Sequence, residues 1–461
     1  MKLNPTIFRG YDVRGVYPGE VNEELAEQAG RAIALLTKAK NGRRTVVVGR
    51  DVRVSSGSLK DAFVRGAVAA GCEVIDVGAI TTPQLYFAVD FWKCAGGAII
   101  TASHNPPEYN GVKMVRDGAE PIPPKEVVAA IKNVQHSVLN KKGGVDKLEG
   151  SVFAADILMP YIDFLVSHAD AAVRNNFRVV ADASNGAGGA ALKALFERIG
   201  VSHFPLYFEP DGRFPNHSPN PLEKSAQQRA KEVIIHKGAD FGIILDADGD
   251  RIIFLDENGA AVRGDTILAL LADNLLKKGA TIVGDATIGR VVQDTVSARG
   301  GKFKRSKTGH LHIKQAMRKA KAVFAGESSG HYYFKDFFDC DSALFALVLV
   351  MNIFAESRRT FSAFVAPYEE EYFRSREYNF KLADLADAER VVKKFKTKYK
   401  DGKQSALDGL TVDYDAWWFN LRASRTEPVL RLNIESRSKK LLEEKSQELT
   451  QLLDKLCSGK K

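Results

Sequence analysis

At 461 residues, 45% hydrophobic and 27% charged, the chain has the balance of a folded globular protein of several domains, not of a disordered or fibrous one. Its 66 Lys plus Arg exceed its 57 Asp plus Glu for a net charge of +9, an excess that fits an anionic ligand or plain solubility. The cysteines, Cys72, Cys94, Cys340 and Cys457, are too scattered for a zinc ribbon or a disulfide framework. The opening MKLNPTIFRGYDVRG has no apolar stretch of the kind that marks a secretory signal, so the expected location is the cytoplasm.

One pattern then recurs three times along the chain. A β-branched run ends in a turn carrying Asp: TVVVGRD at Thr45 to Asp51, RVVAD at Arg178 to Asp182, and TIVGD at Thr281 to Asp285. A helical stretch and a glycine follow, at Gly71, Gly200 and Gly300, and each glycine precedes a second strand. A third strand runs straight into a polar loop: GGAIITASHNP from Gly96, FGIILDADGDR from Phe241, and AVFAGESSGH from Ala322. Strands alternating with helices predict mixed, mostly parallel sheets with helices on both faces. Ligands of such sheets gather at the carboxyl ends of strands, so three sheets turned toward one another would bring these loops into a central cleft.

The apolar run Ala343 to Met351 is far short of the ~18–20 residues that span a bilayer, so no membrane partner is expected. The basic stretch Lys393 to Lys400 reads as a solvated helix face, and no recognition motif accompanies it, so nucleic acid is not expected either. After it come a Trp417-Trp418-Phe419 strand, a polar loop, the strand Val429 to Ile434, and a helix with Leu442, Leu449, Leu453 and Leu456 on one face. The expected architecture is three related α/β domains, 1–150, 151–258 and 259–366, and a C-terminal α+β domain, 367–461.

Four loops have the residues for chemistry. Asp246, Asp248 and Asp250 alternate around Gly249, so their carboxylates can converge on a hard cation, with Mg²⁺ preferred. An EF-hand is excluded, because Arg251 stands where the loop needs glycine and a strand precedes it. Ser103 lies in TASHNPPEYNGVK among turn formers; it reads as a turn serine or as a nucleophile with His104 and Lys113 as neighbours. GESSGH offers Glu327, Ser328, Ser329 and His331 to adjacent sugar hydroxyls, or forms a self-satisfied polar turn. Arg422, Ser424, Arg425 and Thr426 make up the donor set of a phosphate clamp. Together the loops describe a phosphosugar enzyme.

TASHNP, DADGDR, GESSGH and RASRTEP, with the N-terminal FRGYDVRG, resemble in type and order the signature loops of the α-D-phosphohexomutases, and the likeness to the bacterial phosphomannomutase/phosphoglucomutase type covers nearly the whole chain. The resemblance implies interconversion of hexose 1-phosphate and hexose 6-phosphate, of mannose or glucose, through a phosphoserine and a hexose 1,6-bisphosphate. Glucose or mannose 1,6-bisphosphate would be the activator and Mg²⁺ the cofactor; the sequence leaves the oligomeric state open, with a monomer favoured. It implies that Ser103 carries the phosphate and joins the three aspartates around the metal, and that Arg251 touches the phosphate. Lys113 matches a proton-transfer lysine, Tyr11 and Arg14 match residues near the substrate, and His310 matches the histidine of a KTGH segment. Glu327, Ser329 and His331 would grip the sugar, and Arg422, Ser424 and Thr426 the idle phosphate. Two positions depart from the family: Arg425 stands where Asn is usual, and Gly284 to Thr287 lacks a substrate-contacting Lys. The alternatives are a phosphoglucosamine mutase and a non-catalytic sugar-phosphate binder.

Overall fold

A computed structural model describes residues 5–8, 12–140, 150–174, 176–382, 384, 386–424 and 428–457. The chain forms two compact units, Met1–Arg263 with Ser329–Ser362, and Gly264–Ser328 with Ala363–Lys461. Among the described residues no helix is long and apolar enough to cross a membrane. The run from Ala343 is instead a buried helix, Ala343–Ser357, capped by the Ser342 side chain and packed through Phe345 against Phe164 and Phe337.

The first unit holds two mixed sheets. Strands β1 (Val13–Val16), β2 (Thr45–Arg50), β3 (Glu73–Ala79), β4 (Gly96–Ile100), β5 (Tyr109–Arg116) and β6 (Ser151–Ala154) lie in the order β1-β5-β4-β2-β3-β6. β2 is parallel to β3 and β4, whereas β5 runs antiparallel to β4 and β1. Strands β7 (Arg178–Asp182), β8 (Ser202–Leu206), β9 (Phe241–Leu245), β10 (Ile252–Leu255) and β11 (Ala261–Val262) follow in the order β11-β10-β9-β7-β8. Here β7 is parallel to β8 and β9, and β10 turns back antiparallel on β9. β4 and β9 are buried along their whole length, which is why both read as continuous apolar runs and not as alternation. The short antiparallel return after each of them, β4 to β5 and β9 to β10, leaves only a polar loop between the two strands.

The third repeat has the same ingredients. In the second unit β12 (Thr281–Gly284) is parallel to β13 (Lys302–Arg305) and β14 (Phe324–Gly326); in the first, β15 (Tyr332–Phe334) is antiparallel to β16 (Cys340–Asp341). The glycine before each second strand has a left-handed φ, +79° at Gly71, +71° at Gly200 and +68° at Gly300, so a side chain there would be strained. The aspartate of each repeat also has a common job. Asp51, Asp182 and Asp285 are buried, and each accepts from the backbone N–H two residues on, at Arg53 (3.0 Å), Ser184 (2.7 Å) and Thr287 (2.7 Å).

Asp182 has a second partner. His217 Nε2 lies 3.2 Å from its Oδ2. Burial pulls the imidazole pKa down, but Asp182 and the Ser218 carbonyl more than offset this, and the net shift is upward from 6.5. The stabilisation from this pair is therefore full below pH 6.5 and is lost as pH rises through the raised value. His217→Gln is expected to lower the melting temperature more at pH 6 than at pH 8.5 relative to the unsubstituted protein. An equal loss at both pH values would show that the pair contributes no charge.

The C-terminal part of the second unit is an antiparallel sheet. β17 (Phe373–Arg374), β18 (Tyr378–Lys381), β19 (Lys403–Ser405), β20 (Leu410–Asp413), β21 (Trp417–Ala423) and β22 (Val429–Ser436) are ordered β17-β22-β21-β20-β19, with β18 also on β22. Helices Ala386–Lys398 and Lys439–Cys457 cover one face, burying Val391, Phe395, Leu449 and Leu453 against Phe419, Leu432 and Ile434. The expected fold class therefore holds: mixed α/β sheets followed by an antiparallel α+β region. Four of the six strands in this last sheet, β17 to β20, are additions to the two read from the sequence. Within the second unit Glu435 ties this sheet to the preceding layer, accepting from Trp418 Nε1 (2.8 Å) and from the Arg290 N–H (2.9 Å).

Candidate active site

The first unit gathers most of the residues singled out by sequence. Ser103 sits just past β4 with φ +52°, 2% exposed, its N–H bonded to Thr101 Oγ1 at 2.9 Å. Its Oγ donates to Asp246 Oδ2 at 3.2 Å and lies 3.2 Å from His104 Nδ1. Burial, followed by the cationic neighbours Arg251 and Arg14, drives the His104 pKa well below 6.5, so that ring is neutral. Arg14 donates to Asn105 Oδ1 at 2.7 Å and pairs with Asp12 at 3.1 Å, which places it against the serine loop.

Asp246, Asp248 and Asp250 are all buried in the turn after β9, with their ligand oxygens within 4.8 Å of one another. Gly249 makes the turn possible: its φ is +66°, and a Cβ would come within 2.8 Å of Thr81 Cγ2. Asp246 Oδ1 takes the N–H groups of Asp250 (3.1 Å) and Arg251 (3.2 Å), while Thr82 Oγ1 donates to Asp248 at 2.6 Å. Lys113 Nζ reaches into the cluster, 2.7 Å from Asp248 Oδ2 and 2.6 Å from Asp250 Oδ2. Burial works against its charge, but the two carboxylates prevail and raise the lysine pKa. Burial would likewise raise Asp248, yet the ammonium and the Thr82 hydroxyl bring it down to about 2. Asp246, with less help, is pushed well up by burial and by the charges of Asp250 and Asp248.

These residues fit a hard divalent cation. Asp248 Oδ1 and Asp250 Oδ1 are buried with no hydrogen-bond partner, and converging carboxylate oxygens are the donor set of Mg²⁺. Arg251 lies at the rim, its Nε 3.7 Å from Asp246 Oδ2 and donating to His331 Nε2 at 3.0 Å. His331 Nδ1 in turn faces Asp341 Oδ2 at 2.9 Å and Asp250 Oδ1 at 3.6 Å. Ser329 precedes Gly330, whose carbonyl accepts from the Ile252 N–H at 3.0 Å.

The remaining candidates lie in the second unit. Glu327 is buried and accepts from the Gly309 N–H at 2.7 Å, one residue before His310 opens the helix His310–Ala320. Ser328 Oγ is 2.8 Å from Thr287 Oγ1, which also bonds to Asp285 at 2.8 Å. Burial and then the Glu327 charge raise the Asp285 pKa to about 6. Arg422 pairs with Glu377 at 3.3 Å, and the Ser424 N–H bonds to the Val429 carbonyl at 2.7 Å. Tyr11, Arg425 and Thr426 lie outside the described residues.

Sequence reasoning missed Arg53, Thr82 and Asp341, which reach the site from distant positions in the chain. Asp51, at the end of a repeat strand, was the one nearby signal.

Comparison with known proteins gives a consistent result over the full length. Models of phosphoglucomutase/phosphomannomutase alpha/beta/alpha domains I, II and III match residues 5–139, 159–259 and 263–372, and that of the C-terminal domain matches 377–452. The chain is 36% identical over 467 residues to a phosphomannomutase of Vibrio cholerae, covering 98% of this chain and 99% of that protein. It is 36% identical over 451 residues to a Xanthomonas campestris protein described as phosphohexose mutases, covering 97% and 98%. A crystal structure of a phosphoglucomutase/phosphomannomutase family protein from Burkholderia thailandensis superimposes with a TM-score of 0.87 at 29% identity, over 99% of both chains.

Proposed function

Because the chain belongs to the phosphoglucomutase/phosphomannomutase family, isomerases that interconvert sugar phosphates, we propose that it shifts phosphate between the 1- and 6-positions of mannose or glucose, with Ser103 as the phosphoryl carrier. The observation that carries this reading is the Ser103 hydroxyl, buried and 3.2 Å from Asp246 in the three-carboxylate cluster. Phospho-Ser103 gives its phosphoryl group to the free hydroxyl of a hexose monophosphate: the P–Oγ bond breaks, a P–O bond to the sugar forms, and the product is a hexose 1,6-bisphosphate. That molecule turns end for end and returns its other phosphate to Ser103.

Asp246, Asp248 and Asp250 are the residues to hold Mg²⁺, which when bound supplies Lewis-acid charge to the transferring phosphoryl group. Arg251, beside Asp246, is placed to add a second positive charge to the same group. Lys113 stays an ammonium in its carboxylate cradle, which supports a role as a charged hydrogen-bond donor toward the leaving oxygen and not as base. Neutral His104 with its proton on Nδ1 donates to Ser103 Oγ, whose own proton goes to Asp246, and so orients the hydroxyl. Glu327, Ser328, Ser329 and His331 are assigned to the sugar hydroxyls, and Arg422, Ser424, Arg425 and Thr426 to the phosphate that does not react. Thr287, in the segment Gly284 to Thr287 that lacks the family's substrate-contacting lysine, pairs with Ser328 and offers a hydroxyl there.

The test is a coupled assay with Mg²⁺ and a trace of glucose 1,6-bisphosphate, comparing mannose 1-phosphate, glucose 1-phosphate and glucosamine 1-phosphate by kcat/KM. Turnover of mannose or glucose phosphate at least about tenfold above the amino sugar is expected. Preference for glucosamine 1-phosphate would assign the alternative mutase. Binding without turnover of any of the three, in protein shown by mass spectrometry to carry phospho-Ser103, would make the protein a sensor.

A further inference from the structure

Arg53 is one of the largest fully buried side chains, although arginine is rarely buried without a reason. It lies in the loop after β2. Its Nε donates to Asp51 Oδ2 at 3.1 Å, and both side chains are wholly shielded from solvent. One terminal nitrogen donates to the carbonyl oxygens of Pro106 (2.6 Å) and Tyr109 (3.0 Å), the other to those of Ser103 (2.6 Å) and Asn105 (2.6 Å). A guanidinium has five N–H donors. One is spent on Asp51 and the other four on the backbone of the serine loop.

The guanidinium is also braced from behind. Its carbon lies 5.1 Å over the Phe214 ring, and a Cβ on Gly212 in the same segment would run into the Val52 carbonyl and Arg53 Cα. A buried cation is costly unless fully paired, so a saturated one on a single loop points to a loop whose shape matters. That loop begins at Ser103, whose left-handed φ of +52° is unfavourable for a residue with a side chain and persists only when its surroundings hold it. Among the described residues, Arg53 is the side chain that bonds to the carbonyls of Ser103, Asn105, Pro106 and Tyr109 together.

We propose that Arg53 is a positioning residue for phosphoryl transfer: by gripping four carbonyls of the Ser103–Tyr109 segment it fixes where Ser103 Oγ stands relative to Asp246. The proposal rests on the reading of Ser103 as phosphoryl carrier. Lysine keeps the charge but presents its donors from one nitrogen and cannot span the four carbonyls.

The test compares the full-length protein with Arg53→Lys and with Phe214→Leu, which removes the brace and leaves the donors. Melting temperature, hydrogen exchange of the amides of residues 101–110, and kcat and KM with Mg²⁺ and a trace of glucose 1,6-bisphosphate are read on each. Arg53→Lys is expected to speed exchange in that segment by about tenfold or more and to lower kcat by about 30–300-fold, the scale of a misplaced reacting group, with KM within about twofold. Phe214→Leu is expected to move the same readouts in the same direction by about 3–10-fold. A folded Arg53→Lys with kcat within about threefold of the unsubstituted protein, unchanged exchange in the loop, or a loss that appears in KM would overturn the proposal. If Arg53→Lys does not fold, Phe214→Leu decides by the same criteria. If the unsubstituted protein itself turns over no hexose phosphate, the mutase reading fails, and loop exchange alone decides whether Arg53 is the clamp.

Discussion

Ser103→Ala is expected to lower kcat for hexose phosphate interconversion by about 10⁴-fold or more while the protein stays folded. The size of the effect follows from the role: without an oxygen at this position there is no acceptor for the phosphoryl group, and no neighbour can replace it. His104 is the nearest alternative nucleophile, but its Nδ1 stands 3.2 Å from the position of the lost oxygen and does not take its place. The fold survives because the substitution removes one hydroxyl and one 3.2 Å hydrogen bond to Asp246, a change on the order of 1 kcal/mol. The φ of +52° is unaltered in kind, since alanine meets the same restriction as serine. Activity and phosphate content are both informative: the unsubstituted protein should carry one phosphoserine after incubation with glucose 1,6-bisphosphate, and the variant none. Retention of interconversion within about tenfold would remove Ser103 as the carrier, and with it the two-transfer scheme.

The repeat that houses this serine was legible because its signals are local. Val46 to Val48, Val179 to Ala181 and Ile282 to Val283 are buried, so each strand shows as a short apolar run. The aspartate after each run was visible too, although its job was not: it closes the same turn in all three repeats and then takes a different second partner, Arg53, His217 or Thr287. The last sheet was read less completely. β17 has only two residues, and β18, YNFK, only four, so although Tyr378 and Phe380 alternate as in a strand neither run is long enough to stand out. Both are strands because β22 offers an edge to pair with, which is a tertiary fact.

The same division separates the site residues that could be read from those that could not. Asp246, Asp248 and Asp250 stand within five positions, and Ser103 and Lys113 flank one loop, so their chemistry is written into short stretches of chain. Thr82 bonds to Asp248 across 166 positions, and Arg53 grips the serine loop across about fifty. No periodicity relates such pairs. Asp341 is hidden differently, two positions before the apolar run that begins at Ala343, yet it is the carboxylate that faces His331 at 2.9 Å.

Lys113→Met is expected to have the largest effect on stability, and to make that stability depend on a divalent cation. In this structure the ammonium is the counter-charge that reaches both Asp248 and Asp250, at 2.7 and 2.6 Å, in a pocket where the lysine side chain is 5% exposed. Methionine nearly preserves the length and volume of the side chain, so the loss is one of charge and not of packing. Removing one partner of a buried ion pair costs about 3–5 kcal/mol, because the carboxylates left behind are neither solvated nor paired. For a protein of this size that corresponds to a melting temperature lower by roughly 3–5 °C in EDTA. Asp248, held ionised with a pKa of about 2 by the lysine, should then be driven upward as Asp246 already is, and the variant should take up protons on folding near neutral pH. Mg²⁺ offers the missing positive charge to the same oxygens, so its addition should restore more of the variant's melting temperature than it adds to the unsubstituted protein's. A melting temperature in EDTA within about 2 °C of the unsubstituted protein, or equal responses to Mg²⁺, would show that Lys113 does not neutralise the aspartates and that their charge is balanced from elsewhere.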